Sequence, residues 1–148
     1  MSIRWSTSSL LAGLLVLGGS TLAAQDSTAT PGSSCLQPDA AMAKRGQSLW
    51  SSRGCAGCHS IGQGKRSGPD LVGVTELRDL GWLRRWMKNP TVMFETDSLA
   101  KALLAQYNNT RMPNLRLKDD EVEALLHYIA QESRKVGGGA GGEGKCAE

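Results

Sequence analysis

Gly54-Cys55-Ala56-Gly57-Cys58-His59-Ser60 is the stretch on which the reading of this chain turns. Two cysteines separated by two small residues, with a histidine directly after the second, form the Cys-x-x-Cys-His pattern of covalent haem attachment. The spacing has a physical cause. Cysteines three apart on a helical turn face one side, so both thiols can add to the vinyl groups of one macrocycle, and the adjoining imidazole lies beneath the ring within reach of iron. Ala56 and Gly57 leave room for that macrocycle. Cys55 and Cys58 are therefore the expected attachment points of one haem c, and His59 an expected iron ligand.

Two other chemistries use similar spacing. A thiol–disulfide pair of the thioredoxin kind belongs beside a βαβ pattern, of which the chain has no sign. A zinc site needs further ligands at suitable spacing. The remaining candidates are Cys35 and Cys146 in irregular ends and His127 within a helical stripe, a poor set.

A second axial ligand separates an electron carrier from a catalyst, and Met87, Met93, Met112 and His127 are the candidates. Met112 stands in Arg111-Met112-Pro113-Asn114-Leu115, a polar loop where an apolar side chain has no obvious core role. It is the expected partner of His59. Met87 and Met93 read as core filler, and His127, beside Tyr128 on a long helix, as a partly exposed surface histidine.

Outward from the motif, periodicity places helices at about 39–52, 81–88, 98–107 and 119–133. Met42, Leu49 and Trp50 share a face of the first; Trp82, Leu83, Trp86 and Met87 are helically spaced in the second, which stops at Asn89 before Pro90. The last is the clearest, with Val122, Leu125, Leu126 and Ile129 as a buried stripe and Asp119, Asp120 and Glu121 at its positive N-terminal end. Residues 60–69 and 108–118 carry Gly, Pro and Asn without period and read as loops. The expected class is all-α, with three to five helices around one haem and few strand signals.

The ends differ in character from this unit. Arg4, the apolar run 10–17 and the small residues Ala23 and Ala24 have the layout of a secretory signal peptide over residues 1–24. The run is too short to span a bilayer, so no permanent membrane span is expected after cleavage, and retention as an anchor is the lesser alternative. Residues 25–38 read as a flexible linker, 39–136 as the domain, and 137–148 as a Gly-rich flexible tail.

At 148 residues, 40% hydrophobic and 21% charged, the composition is that of one ordinary soluble domain rather than a large enzyme. The formal charge of +3 falls to +2 without the leader, which carries Arg4 and no acid. Between Arg53 and Arg116, however, ten basic residues face five acids, so the region around the motif is locally positive. Export excludes nucleic acid as a partner.

Taken together, residues 41–133 resemble the class I c-type cytochromes. In that family a glycine and an aromatic on an early helix cross an aromatic on the last one, positions matched here by Gly46, Trp50 and Tyr128. The family's Gly-Pro-x-Leu is Gly68-Pro69-Asp70-Leu71, and the resemblance implies that the Pro69 carbonyl accepts the His59 imidazole proton, placing Pro69 in the cofactor site. Its Met-Pro loop is Met112-Pro113, and its propionate-binding tryptophan corresponds to Trp82 or Trp86. Lys118 departs from the usual Ser or Thr helix cap, a role expected to pass to Asp119.

The resemblance implies a monohaem one-electron carrier, not an enzyme, in the periplasm, moving electrons from a respiratory donor to a terminal oxidase or reductase. Partners would be redox proteins with an acidic docking patch, such as a respiratory complex, copper oxidase or reductase. The alternatives are a haem subunit of a larger redox complex, or a peroxidase-like enzyme if Met112 is not bound to iron. The crossing of first and last helices would bring the tails together, so a disulfide between Cys35 and Cys146 is the favoured reading, with intermolecular pairing or a lipid on Cys35 as the alternatives.

Overall fold

The computed structural model describes residues 36–137. The leader, most of the linker and the glycine tail, with Cys35 and Cys146 and their expected disulfide, lie outside the described residues. Among these residues there are six α-helices and no strand: α1 (Ala40–Ser52), α2 (Val74–Leu77), α3 (Leu80–Lys88), α4 (Pro90–Thr96), α5 (Ser98–Gln106) and α6 (Asp119–Val136). The nearest approach to β-structure is one isolated parallel bridge between Ser60 and Asp70. The all-α reading holds, with six helices where three to five were expected, because the short α2 and α4 carry no visible period.

Helix starts follow local chemistry. Asp39, Asp79, Asn89 and Asp97 each sit at an N-cap and accept a hydrogen bond from the backbone N–H three residues on, at Met42, Trp82, Val92 and Ala100. Asn89 ends α3 and starts α4, whose first residue is Pro90. Sequence periodicity stops at that proline and misses α4, although proline at the first helical position costs no hydrogen bond.

The start of α6 differs from expectation. Asp119 does not take over the cap; it is the first helical residue and pairs with Lys88. Lys118 occupies the cap and has no side-chain acceptor, so only the reciprocal half of a capping box forms, with Glu121 accepting the Lys118 N–H at 2.9 Å. The same carboxylate meets Arg53 at the end of α1. One acid thus anchors both helices.

The crossing of α1 and α6 is the spine of the fold. A Cβ on Gly46 would stand 2.0 Å from the Ala124 carbonyl oxygen and 2.6 Å from Tyr128 Cβ, so only glycine permits this approach. Trp50 and Tyr128 pack beside it with ring centroids 5.7 Å apart. Around them Leu83, Leu117, Val122, Leu125, Leu126 and Ile129 complete one buried cluster. Burying each such aliphatic side chain stabilises by about 1.5–3 kcal/mol. A second cluster, Met93, Phe94 and Ala100, lies under α4 and α5, and Trp82 packs against both.

Packing reaches back to Leu36, which touches the first cluster, while Arg134 donates to the Leu36 carbonyl and to Gln37. At the other end α6 runs to Val136, which fills the space beside Gly62. No helix among the described residues is long and apolar enough to cross a membrane.

Candidate functional site

Between the two clusters opens a cleft whose free space, about 1210 Å³ counted together with the open solvent at its mouth, is lined by residues of both. Its lining is mostly apolar: Trp50, Leu71, Trp82, Leu83, Leu125 and Ile129 are among the contributors. Cys55, Cys58, His59, Pro69 and Met112 all open onto it. The five residues singled out by sequence are therefore gathered in one place.

The cysteines owe their placement to two features. Gly54, at φ 73°, takes the left-handed conformation that turns the chain after α1. A 3₁₀ turn over Cys55–Gly57 follows, and three residues per turn set Cys55 and Cys58 on one side. Neither thiol is in a disulfide. Burial pushes the Cys55 thiol up.

His59 Nδ1 lies 2.9 Å from the Pro69 carbonyl oxygen. A carbonyl only accepts, so Nδ1 carries the proton and Nε2 keeps its lone pair for a metal. Burial holds the imidazole below its ordinary pKa, against the opposing pull of the Pro69 hydrogen bond, and the neutral ligand form prevails. Gly68 makes this approach possible: a Cβ there would be 2.7 Å from His59 Cε1.

Asp70 orders the loop between motif and proline. Its carboxylate accepts from the N–H groups of Gly62 and Val72 at 2.7 and 3.0 Å, and from Gly64. Burial would raise this carboxyl, but the combined N–H donors of Gly62, Val72 and Gly64 hold it below its ordinary value. Sequence reading passed over Asp70; an acid close after two turn glycines was the available signal.

Met112 lies on a loop that leaves α5 through two asparagines in the left-handed region, Asn108 and Asn109. The Asn109 N–H donates back to the Leu104 carbonyl at 2.9 Å, closing the helix end. Asn114 reaches across to Asn89 at 3.3 Å and pins the loop to the α3–α4 junction. Half-buried, Met112 packs against the Met93–Phe94–Ala100 cluster.

Of the other candidates, Met93 and His127 lie outside the cleft lining and Met87 shares it. Met93 is core; Met87 is half-buried and also faces the cleft. His127 accepts the Asp39 N–H at 2.8 Å, tying the start of α1 to α6. No three His, Cys, Asp or Glu side chains gather as a metal-ion site among the described residues, so the zinc alternative finds no ligand set there. Of the two tryptophans matched to the family's propionate-binding position, Trp82 Nε1 donates to Asp97 at 3.1 Å and Trp86 Nε1 to the Met112 sulfur at 3.1 Å. Asp97 is drawn to Trp82 because it already caps α5 beside it.

The charge around the cleft is also less one-sided than the segment count. Arg53, Arg84 and Lys88 pair with Glu121, Glu123 and Asp119, acids of α6 that lie beyond the counted segment. Arg84 reaches Glu123 through two bonds of 2.6 and 3.0 Å. Lys65, Arg66 and Arg111 make no ion pair among the described residues. Lys65 instead stands over the Tyr107 ring, Arg66 donates to the Ala56 carbonyl inside the motif, and Arg111 lines the cleft.

Comparison with known proteins gives a consistent result. The family described as cytochrome c matches residues 43–133. Among solved structures, a cytochrome c from Rhodothermus marinus is 30% identical with a TM-score of 0.62, covering 67% of this chain and 83% of its own. A cytochrome c domain from a Pseudomonas putida protein is 43% identical with a TM-score of 0.55, covering 61% of this chain and 89% of its own. No curated protein matches by sequence.

Proposed function

This chain belongs to the cytochrome c family and carries one haem c through Cys55 and Cys58 as an electron carrier, and on that premise we propose that His59 and Met112 are its two axial ligands and that it works in the periplasm. The observation that carries the ligand assignment is the shared cleft, in which Met112 stands on a loop while Met87, the other methionine lining it, is held on α3 against the first buried cluster. The lone pair of His59 Nε2, left available because Nδ1 donates to Pro69, and the Met112 thioether open onto the same apolar space as both thiols.

Bound haem supplies an iron that takes up one electron in the ferric state and releases it from the ferrous state. The chain's residues set the terms of that exchange. The thioether of Met112 favours ferrous iron, and the apolar lining disfavours the additional positive charge of the ferric state, so both raise the reduction potential. His59 and Met112 would together hold the haem iron, and the chemistry it would supply there is exchange of one electron rather than reaction with oxygen or peroxide. Small change at the ligands then means little reorganisation per electron.

The signal-peptide layout of residues 1–24 supports export, and the free cations Lys65, Arg66 and Arg111 beside the cleft support a partner with an acidic docking patch, a respiratory oxidase or reductase among them. The test is the ferric absorption spectrum of the purified haem protein and of Met112→Ala. A weak red charge-transfer band from sulfur to ferric iron in the wild type, lost in the variant together with gain of carbon monoxide binding by the ferrous form, is the expected outcome. A wild type that is high spin and binds carbon monoxide readily would replace the carrier with a haem enzyme.

A further inference from the structure

Two stretches of chain run side by side at His59. Gly68 donates its N–H to the Cys58 carbonyl at 2.9 Å and Leu71 to the Ser60 carbonyl at 2.8 Å, so Pro69 is held opposite His59 between two backbone bonds. The side chain of Asp70 locks the second stretch in place. Gly62 and Gly64, at φ 76° and 85°, take the left-handed conformation open to glycine, and their N–H groups converge on the Asp70 carboxylate. Val72 adds a third donor at 3.0 Å. The Ser60 hydroxyl closes the same turn by donating to the Gly64 carbonyl. From outside, α6 buttresses it. A Cβ on Gly62 would stand 2.2 Å from Val136 Cγ1, and the Ser133 hydroxyl accepts the Gly73 N–H at 2.9 Å. A carboxylate with three backbone donors is thus lodged one residue from the carbonyl that receives the His59 proton.

We propose that Asp70 is a positioning residue for electron transfer: by locking residues 68–71 against 58–60 it holds the Pro69 carbonyl on His59 Nδ1 and so sets how strongly His59 donates to iron. The proposal rests on the assignment of His59 as an iron ligand and is independent of Met112. A firm bond from Nδ1–H to a carbonyl makes the imidazole a better donor, which favours the ferric state and holds the reduction potential down. When that bond lengthens, donation falls and the potential rises. Asp70 therefore acts in the opposite sense to the Met112 thioether and the apolar lining.

Asp70 has a charge as well as a position, and two substitutions separate them. Asp70→Asn keeps one oxygen but turns an amide donor towards the N–H groups of the turn. Asp70→Glu keeps the charge, while its longer stem moves the carboxylate out of register with Gly62 and Gly64. Both haem proteins should be easier to reduce than wild type, by roughly two- to tenfold in the equilibrium constant for reduction, the span of one net hydrogen bond. In both, the His59 Nδ1 proton of the ferrous form should exchange with solvent faster by a similar factor. A wild-type potential in Asp70→Glu beside a raised one in Asp70→Asn overturns the proposal and leaves Asp70 with a charge effect alone. Wild-type potentials in both, or raised potentials with exchange unchanged, overturn it as well. Where a variant does not fold, native-state hydrogen exchange of the ferrous wild-type haem protein decides. The His59 Nδ1 proton should open with the Gly62 and Gly64 amides as one unit, their protection falling together as denaturant rises. A His59 proton that outlasts those amides shows that the Pro69 bond does not need the Asp70 turn, and overturns the proposal. Absence of hyperfine-shifted His59 ring protons in the ferric wild type instead refutes the ligand assignment itself.

Discussion

At the scale of single residues, the site works by what each neighbour forbids. Gly68 has no side chain because His59 stands where its Cβ would be, 2.7 Å from Cε1 and 3.0 Å from Nδ1, with the Cys58 carbonyl oxygen at 3.1 Å. Gly68→Ala must push the imidazole or the backbone, and overpacking of this kind costs about 1–3 kcal/mol. The expected result is a lower denaturant midpoint together with a weakened charge-transfer band, because the ring tilts away from the Pro69 carbonyl. A variant with wild-type midpoint and band would mean that the loop yields freely. Much of this was legible beforehand: the motif and Gly68-Pro69 mark the proximal side by themselves. The bond from Trp86 to the Met112 sulfur was not, because an indole on a helical stripe reads as core, and its acceptor lies 26 positions away in a loop without period.

At the scale of elements, the helices with clear apolar stripes were legible to within a residue or so at their starts, since Asp39, Asp79, Asp97 and the acid run at 119–121 announce them. The short α2 and α4 were not, because four and seven residues are too few for a period to show. The role of Glu121 was likewise hidden, being a tertiary contact. Donation from the Lys118 N–H and then the Arg53 guanidinium hold its carboxyl below the usual value. The unfolded chain therefore binds a proton more readily than the native one, so this contribution is full above the ordinary glutamate pKa of about 4.3 and is lost as pH falls through the lower native value. Glu121→Gln keeps an acceptor for Lys118 but loses the charge facing Arg53. Its melting temperature should fall below wild type at neutral pH, and the gap should close between about pH 5 and pH 3. A gap of constant size across that range would show that the carboxylate charge plays no part in joining α1 to α6.

At the scale of the whole molecule, the topology was legible because the motif, the proline loop, the methionine loop and the last helix occur in order and at workable separations; the surface was not. Ten cations against five acids in one segment suggest a strongly basic face, yet folding brings three acids of α6 onto Arg53, Arg84 and Lys88 and reduces the local excess from five to two. On the proposed docking to an acidic partner, steering falls to those of the seven remaining cations that stand beside the cleft. Lys65 is exposed and stands 5.1 Å from the centre of the Tyr107 ring, which lines the cleft, and Arg66 is bonded to the motif itself. Their field acts where an electron would leave, and opposite charges there raise the encounter rate in a salt-dependent way. Lys65→Glu with Arg66→Glu should slow bimolecular electron transfer to an acidic redox protein by about three- to tenfold at low ionic strength, with little change in reduction potential, and the difference should shrink as salt shortens the screening length to about 3 Å at 1 M. Lys44→Glu reverses an equally exposed charge on α1, away from the cleft lining, and should slow the reaction much less. Equal slowing by both changes would mean that net charge, rather than the cations at the mouth of the cleft, governs encounter.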